Sequence, residues 1–292
     1  MRPRSSSGVV EHHTGQVTDL RGLDATQLAP TGAGDLVDQL RAAGRHQILW
    51  PWAAVAVAIM AAIATFSTAS WPTVVALIAG VPVVVAVWRR DLRLSKVAAV
   101  YEVDGPVAQW FSTLVDGYHA VLDLGGAWRV ETTTAVVGTY GYKLSGGVES
   151  IIGRTSLTRS LSAPRMLRTN IVVPSLAHDR DALLFLPDRI LVRHLDQWSD
   201  AEYRHVQVQC TREWVKEPER PPQDGTQVDT TWQVVNVRGG GPDRRYRDNR
   251  AIPVMEYGHL TLHTATGLHW VIDCSRPEVA EWLAAVLTTR PT

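Results

Sequence analysis

Two long apolar runs dominate the hydrophobic pattern of the chain. Ile48 to Phe66 is nineteen residues and Trp71 to Trp88 is eighteen, and no Asp, Glu, Lys or Arg occurs between His46 and Trp88. At about 1.5 Å of rise per residue each run extends roughly 27–29 Å, near the thickness of a bilayer core. The pattern predicts a helical hairpin over 48–88 that crosses a membrane twice. Arg41 and Arg45 precede it and Arg89, Arg90, Arg93 and Lys96 follow it, with no positive charge in the Ser67–Ser70 loop. That asymmetry places both termini in the cytoplasm. Trp50, Trp52, Trp71 and Trp88 sit at run ends, where indole rings favour the headgroup layer. Pro51 and Pro72 fall in first turns, and Pro82 predicts a kink in the second helix. The runs hold no ionisable residue, so the hairpin reads as an anchor and not as an ion path.

Outside these runs the pattern is that of a mixed domain. Residues 1–34 are rich in Ser, Thr, Gly and Pro and read as disordered. Residues 35–47, with Leu36, Val37 and Leu40 on one side, predict a juxtamembrane helix. Residues 89–126 predict cytoplasmic helices: Asp104 caps a segment in which Val107, Trp110, Phe111, Leu114, Tyr118, Val121 and Leu122 recur at three- and four-residue steps. Residues 127–164 begin as a strand, and Gly138 to Pro164 reads as a long Gly/Ser-rich loop.

From 165 to 292 the chain is β-rich. Leu183–Leu186 and Ile190–Leu195 flank the turn pair Pro187-Asp188, and Val206, Val208 and Cys210 alternate with polar residues. Lys216 to Asp224 is Pro- and charge-rich and reads as a surface excursion. Leu260 and Leu262 precede the turn Ala265-Thr266-Gly267, and Leu268, Trp270, Ile272 and Cys274 follow it. This is a hairpin that sets His263 opposite His269. Ser275-Arg276-Pro277-Glu278 has the form of a capping box. Val279, Trp282, Leu283, Val286 and Leu287 then trace one face of a terminal helix.

Strands closed by one C-terminal helix follow the order of a pleckstrin-homology (PH)-like barrel. The line Leu183 to Val192, with Tyr203-Arg204-His205-Val206, resembles bacterial PH and GRAM-type domains over roughly 165–290. A closer likeness is to a group of uncharacterised bacterial membrane-associated proteins. They carry an FLPDR-ILV line, a TW-x-x-VN line and a GGPDRR-[YF]-x-x-NR-x-[IL]P-V-x-x-YG line. Here these are Phe185–Val192, Thr231-Trp232 with Val235-Asn236, and Gly240–Gly258. The resemblance implies membership without an activity. The expected fold is a two-helix transmembrane hairpin plus a cytoplasmic α+β domain, a PH-like β-barrel or sandwich closed by the C-terminal helix.

Charge narrows the function classes. Lys+Arg 29 balance Asp+Glu 29, which disfavours a nucleic-acid binder. Two cysteines, Cys210 and Cys274, make no disulfide framework and no CxxC pair. The most distinctive stretch is Gly239–Arg250. Arg244, Arg245, Arg247 and Arg250 follow a turn in which the N–H groups of Gly240 and Gly241 can form an anion nest. Two roles stay open for it: anion or partner binding by the guanidiniums, or a fastened loop in which Asp243 and Asp248 neutralise them. His263 and His269 are the only candidate metal pair, and with no third ligand placed no metal site is assigned. Ser275 and Cys210 lack the surroundings of a nucleophile. Lys143, Arg154 and Arg159 with Tyr140 and Tyr142 have the make-up of a contact to nucleic acid or anionic headgroups, but zero net charge and the glycine context favour a solvated loop.

No cofactor is expected. The expected partners are the lipid bilayer and a protein or anionic ligand, and an oligomer stays open. The reading is a membrane-anchored, cytoplasmic, non-enzymatic binding, scaffold or sensory protein. The alternative is a membrane-tethered effector enzyme, a nuclease or hydrolase, whose site carries no motif.

Overall fold

The computed structural model describes residues 17–19, 35–45, 49–65, 71–94, 96–135, 150–195, 197–218, 220–236 and 241–291. In chain order the elements are β1 (Val17–Asp19), α1 (Asp35–Gly44), α2 (Trp50–Thr65), α3 (Trp71–Leu94), β2 (Val97–Ala99), α4 (Gly105–Gly117) and α5 (His119–Leu122). Strands β3 (Ala127–Ala135), β4 (Ser150–Ser156), β5 (Thr158–Ser160), β6 (Leu167–Thr169), β7 (Ser175–His178), β8 (Asp181–Phe185), β9 (Arg189–His194) and β10 (Gln197–Glu202) follow. The chain ends with β11 (Gln207–Lys216), β12 (Thr226–Trp232), β13 (Ala251–His263), β14 (His269–Cys274) and α6 (Pro277–Thr288). They form two compact units, one built on β1, β3, β4, β11–β14, α5 and α6, the other on α1–α4, β2 and most of β5–β10.

The first unit is a seven-stranded sheet in the order β1-β3-β14-β13-β11, with β4 on β3 and β12 on β13. The β13–β14 hairpin pairs His263 with His269 and runs to Gly258 against Cys274. Gly267 makes the turn at φ +113°, a conformation that suits a residue without Cβ. Helix α6 covers one face of the sheet and buries Val279, Ala280, Leu283, Val286 and Leu287. It approaches so closely that a Cβ on Gly258 would stand 2.5 Å from Ala280 Cβ. The opposite face buries Val215, Met255 and Tyr257, with Trp128 against them.

The second unit is a five-stranded sheet in the order β10-β9-β8-β7-β5, beside a short parallel pair, β2 and β6. Val37, Leu40 and Ala43 of α1 enter a core with Leu184, Leu186, Leu191 and Trp198. The helix expected to lead into a membrane thus packs its apolar face inside a protein core. The FLPDR line has a structural role. Arg189 reaches Asp188 at 2.7 Å and the fully buried Asp200 at 2.8 Å, and Tyr203 donates to Leu186 O at 2.9 Å. Burial, and then the neighbouring Asp188, push the Tyr101 phenol well above its ordinary value.

The twice-crossing hairpin expected over 48–88 is not supported. Among the described residues no helix is long and apolar enough to cross a membrane. Helix α2 has sixteen residues, about 24 Å, short of the roughly 30 Å that a span requires. Helix α3, Trp71–Leu94, carries Arg89, Arg90, Asp91 and Arg93 in its last turns. Asp91 is 3% exposed and accepts the N–H groups of Leu49 at 2.6 Å and Trp50 at 2.8 Å. A carboxylate there satisfies orphan donors at the start of α2 and favours its positive dipole end. The membrane localisation and the cytoplasmic assignment of both termini fall with the spans.

The single PH-like barrel over 165–292 is corrected as well. Strands β8 and β9 belong to the five-stranded sheet, whereas β11–β14 join β3 and β4 in the seven-stranded one. The lines that looked consecutive in one barrel are shared between two sheets. The terminal helix does cover a sheet, but that sheet draws on strands as early as β1. The long loop expected over Gly138–Pro164 contains β4 and β5, and its residues 138–149, with Tyr140, Tyr142 and Lys143, lie outside the described residues.

Candidate functional site

The glycine–arginine stretch folds as a stitched excursion after β12. Gln233 N–H donates to Arg250 O at 2.9 Å. Val234 N–H donates to Asn249 Oδ1 at 2.9 Å, and Asn249 Nδ2 donates back to Val234 O at 2.6 Å. The Asn249 amide thus does the work of a strand neighbour. Asp243 N–H reaches Val234 O at 3.1 Å, Asn236 N–H reaches Gly241 O at 2.7 Å, and Val235 bridges Pro242. An open cleft of about 420 Å³ is lined by Asn236, Gly241, Pro242, Asp243 and Arg244.

The four arginines separate within this frame. Asp243 is buried and takes Arg245 Nε at 3.1 Å on Oδ1 and Nη2 at 2.9 Å on Oδ2. Its Oδ1 also accepts the Arg245 N–H at 3.1 Å. The hydrogen bonds and then the charge of Asp243 raise the Arg245 pKa further. Arg244, Arg247 and Arg250 are exposed, and no ion pair among the described residues uses them. Asp248 is exposed too and joins no such pair. Gly240 lies outside the described residues. A Cβ on Gly241 would meet nothing within 4 Å, and its carbonyl is spent on Asn236.

His263 and His269 lie opposite each other as the turn requires, but among the described residues no group of three or more His, Cys, Asp or Glu could hold a metal. Cys210 is half-buried on β11 and Cys274 is buried. Burial, and then Glu281, push the Cys210 thiol up, against a smaller pull from Arg212. Ser275 is not the helix cap: the N-cap of α6 is Arg276, with no side-chain bond. The Ser275 hydroxyl accepts Gly126 N–H at 3.1 Å and donates to Asp224 Oδ2 at 3.0 Å. Asp224 also holds Gly125 N–H at 2.7 Å, so the end of the expected surface excursion is a fastening.

Two clusters were missed by sequence reasoning. Arg154, expected on a solvated loop, sits on β4 with its guanidinium 4.7 Å from the Trp128 ring centroid. Its Nη2 donates to Glu217 Oε2 at 2.7 Å, and Tyr257 OH donates to the same oxygen at 2.9 Å. No local pattern links β4, the residue after β11 and β13. The second cluster was legible. The register that sets His263 against His269 also sets His259 against Asp273, and His259 Nδ1 lies 2.8 Å from Asp273 Oδ1. Asp273 is fully buried, and its Oδ2 has no hydrogen-bond partner among the described residues. Near these clusters, burial alone lowers the Lys216 ammonium to about 8.

Burial pulls the His259 pKa down, but the hydrogen bond and charge of Asp273, with Glu213 beyond, lift it above the ordinary value. A raised folded pKa means that the folded chain holds this proton more tightly than the unfolded one. The contribution is full below the ordinary value of 6.5 and is lost as pH rises through the raised one. Wild type should therefore lose stability relative to His259→Gln between about pH 6 and about pH 8. Denaturant unfolding at both ends of that window measures it. A difference that does not change with pH would show that His259 carries no linked proton.

The chain matches no family model, no curated protein and no solved structure.

Proposed function

We propose that this chain is a non-enzymatic binding protein that uses the Gly241–Arg250 loop to take an anionic partner. The observation that carries the reading is the division among the arginines. All four are exposed, but Arg245 is committed to Asp243, whereas Arg244, Arg247 and Arg250 are outside every ion pair among the described residues. Asn249 and Asp243 hold the backbone that presents them. Guanidinium groups offer paired N–H donors that suit phosphate and carboxylate oxygens. The cleft beside Arg244 supplies room for such a group.

The test uses the full chain and a fluorescein-labelled polyphosphate as probe. Arg244→Ala/Arg247→Ala/Arg250→Ala should weaken binding about tenfold or more, roughly 1.4 kcal/mol, without lowering the melting midpoint. Wild-type binding should weaken with added salt, because exposed charges are screened. Arg245→Ala should bind nearly as wild type does. A triple variant that binds the probe like wild type would remove the loop from the function.

A further inference from the structure

Strand β11 pairs with β13 without a register shift, from Gln207 against His263 to Lys216 against Val254. It is also the last strand in the sheet order. Its other edge is therefore open among the described residues over Gln207–Val215, nine residues or about 30 Å. Such an edge presents unpaired N–H and C=O groups and invites another strand unless something blunts it. The blunting devices are weak here. The strand holds no proline and no bulge. Its arginine is occupied within the chain: Arg212 Nε donates to Glu281 Oε1 at 2.7 Å, Nη2 to Glu281 Oε2 at 3.2 Å and Nη1 to Glu256 Oε2 at 3.3 Å. On the same face Trp214 is 65% exposed, and Cys210 and Val208 farther along the strand are half-buried.

We propose that β11 is the pairing edge for a second copy of this chain, joined antiparallel about a two-fold axis through Thr211. In antiparallel pairs, directly opposed residues share a face, so the axis must pass through a residue. Charge and apolar matching select which one. Centred on Arg212 or Glu213, identical charges face each other, which is unfavourable. Centred on Cys210, Trp214 falls opposite position 206, before the strand begins. Centred on Thr211, Trp214 lies on the partner's Val208, Arg212 opposes Cys210 and Glu213 opposes Gln209. No like charges are then directly opposed, and the exposed indole gains an apolar neighbour. The two Arg212 side chains meet only diagonally, each already neutralised by its own Glu281. Because the axis runs perpendicular to the sheet, both α6 helices lie on one side of a continuous sheet, and the interface is isologous.

The test is made on the full chain. Wild type should sediment as a concentration-dependent dimer, and Trp214→Lys should weaken association at least tenfold while leaving the circular dichroism unchanged. In a Cys210→Ser background, Thr211→Cys sets two thiols about 4.5–5.5 Å apart at Cα, within disulfide reach. Mild oxidation should give a covalent dimer. Glu213→Cys in the same background faces Gln209 and should stay uncrosslinked. A chain that sediments as a monomer throughout would overturn the proposal and leave the edge to an extended peptide from another protein. Equal crosslinking at 211 and 213, or a dimer indifferent to Trp214→Lys, would place association elsewhere and overturn it equally.

Discussion

Glu217→Ala should destabilise the seven-stranded unit by about 3–5 kcal/mol, because it leaves a buried guanidinium without its counter-charge. Glu217 and Arg154 are both largely buried, 2.7 Å apart. Arg154 Nη1 already lacks a hydrogen-bond partner among the described residues, so Glu217 is its main compensation besides the faces of Trp128 and Tyr257. Tyr257 is fully buried and donates to the same carboxylate. Burial first, and then the Glu217 charge, push its phenol far above the ordinary value. It therefore stays protonated and would lose its acceptor with the carboxylate. Denaturant unfolding followed by tryptophan fluorescence reads the loss. Arg154→Met combined with Glu217→Leu should recover most of it, since a well-packed apolar replacement of a buried ion pair is often neutral or stabilising. A single variant with wild-type stability would mean that water reaches Arg154.

Trp198→Ala should cost the five-stranded unit about 3–5 kcal/mol, the range for emptying a buried indole site. Trp198 is 1% exposed and shares its core with Leu40 of α1 and Leu184 and Leu191 of the sheet. Arg41 Nε also donates to Trp198 O at 2.8 Å, so the strand that carries the indole is fixed from α1. The comparison is Trp52→Ala. Trp52 is 74% exposed, and its loss should stay within about 0.5 kcal/mol. Equal effects at the two positions would contradict the core assigned to this unit.

Local periodicity determined much of the secondary structure. The two-residue alternation around Ala265-Thr266-Gly267 gave the β13–β14 hairpin with its register, down to His263 against His269. Three- and four-residue steps gave α4 and α6 with their buried faces. Such patterns are legible because a face that must be buried repeats with the pitch of its own element.

Only the tertiary structure decided which strands share a sheet. The partner of β14 on its far side is β3, more than a hundred residues earlier, and a strand's own alternation is the same whichever neighbour it pairs with. The same limit applies to polar partners. Asp91 caps α2 from the far end of α3, Glu217 neutralises Arg154, and Asp224 takes the hydroxyl of Ser275 that reads locally as a cap. The arginine loop shows both halves. That acids near in sequence would compete for its arginines could be read from the chain. That Asp243 takes Arg245 and leaves Arg244, Arg247 and Arg250 outside the ion pairs of the described residues follows from the way Asn249 and Val234 bend the backbone between them. Apolar length misled for a related reason. A run of uncharged residues shows what a bilayer would accept, but a span also needs length, and α2 is a sixteen-residue helix whose first N–H groups are held by a carboxylate of the fold.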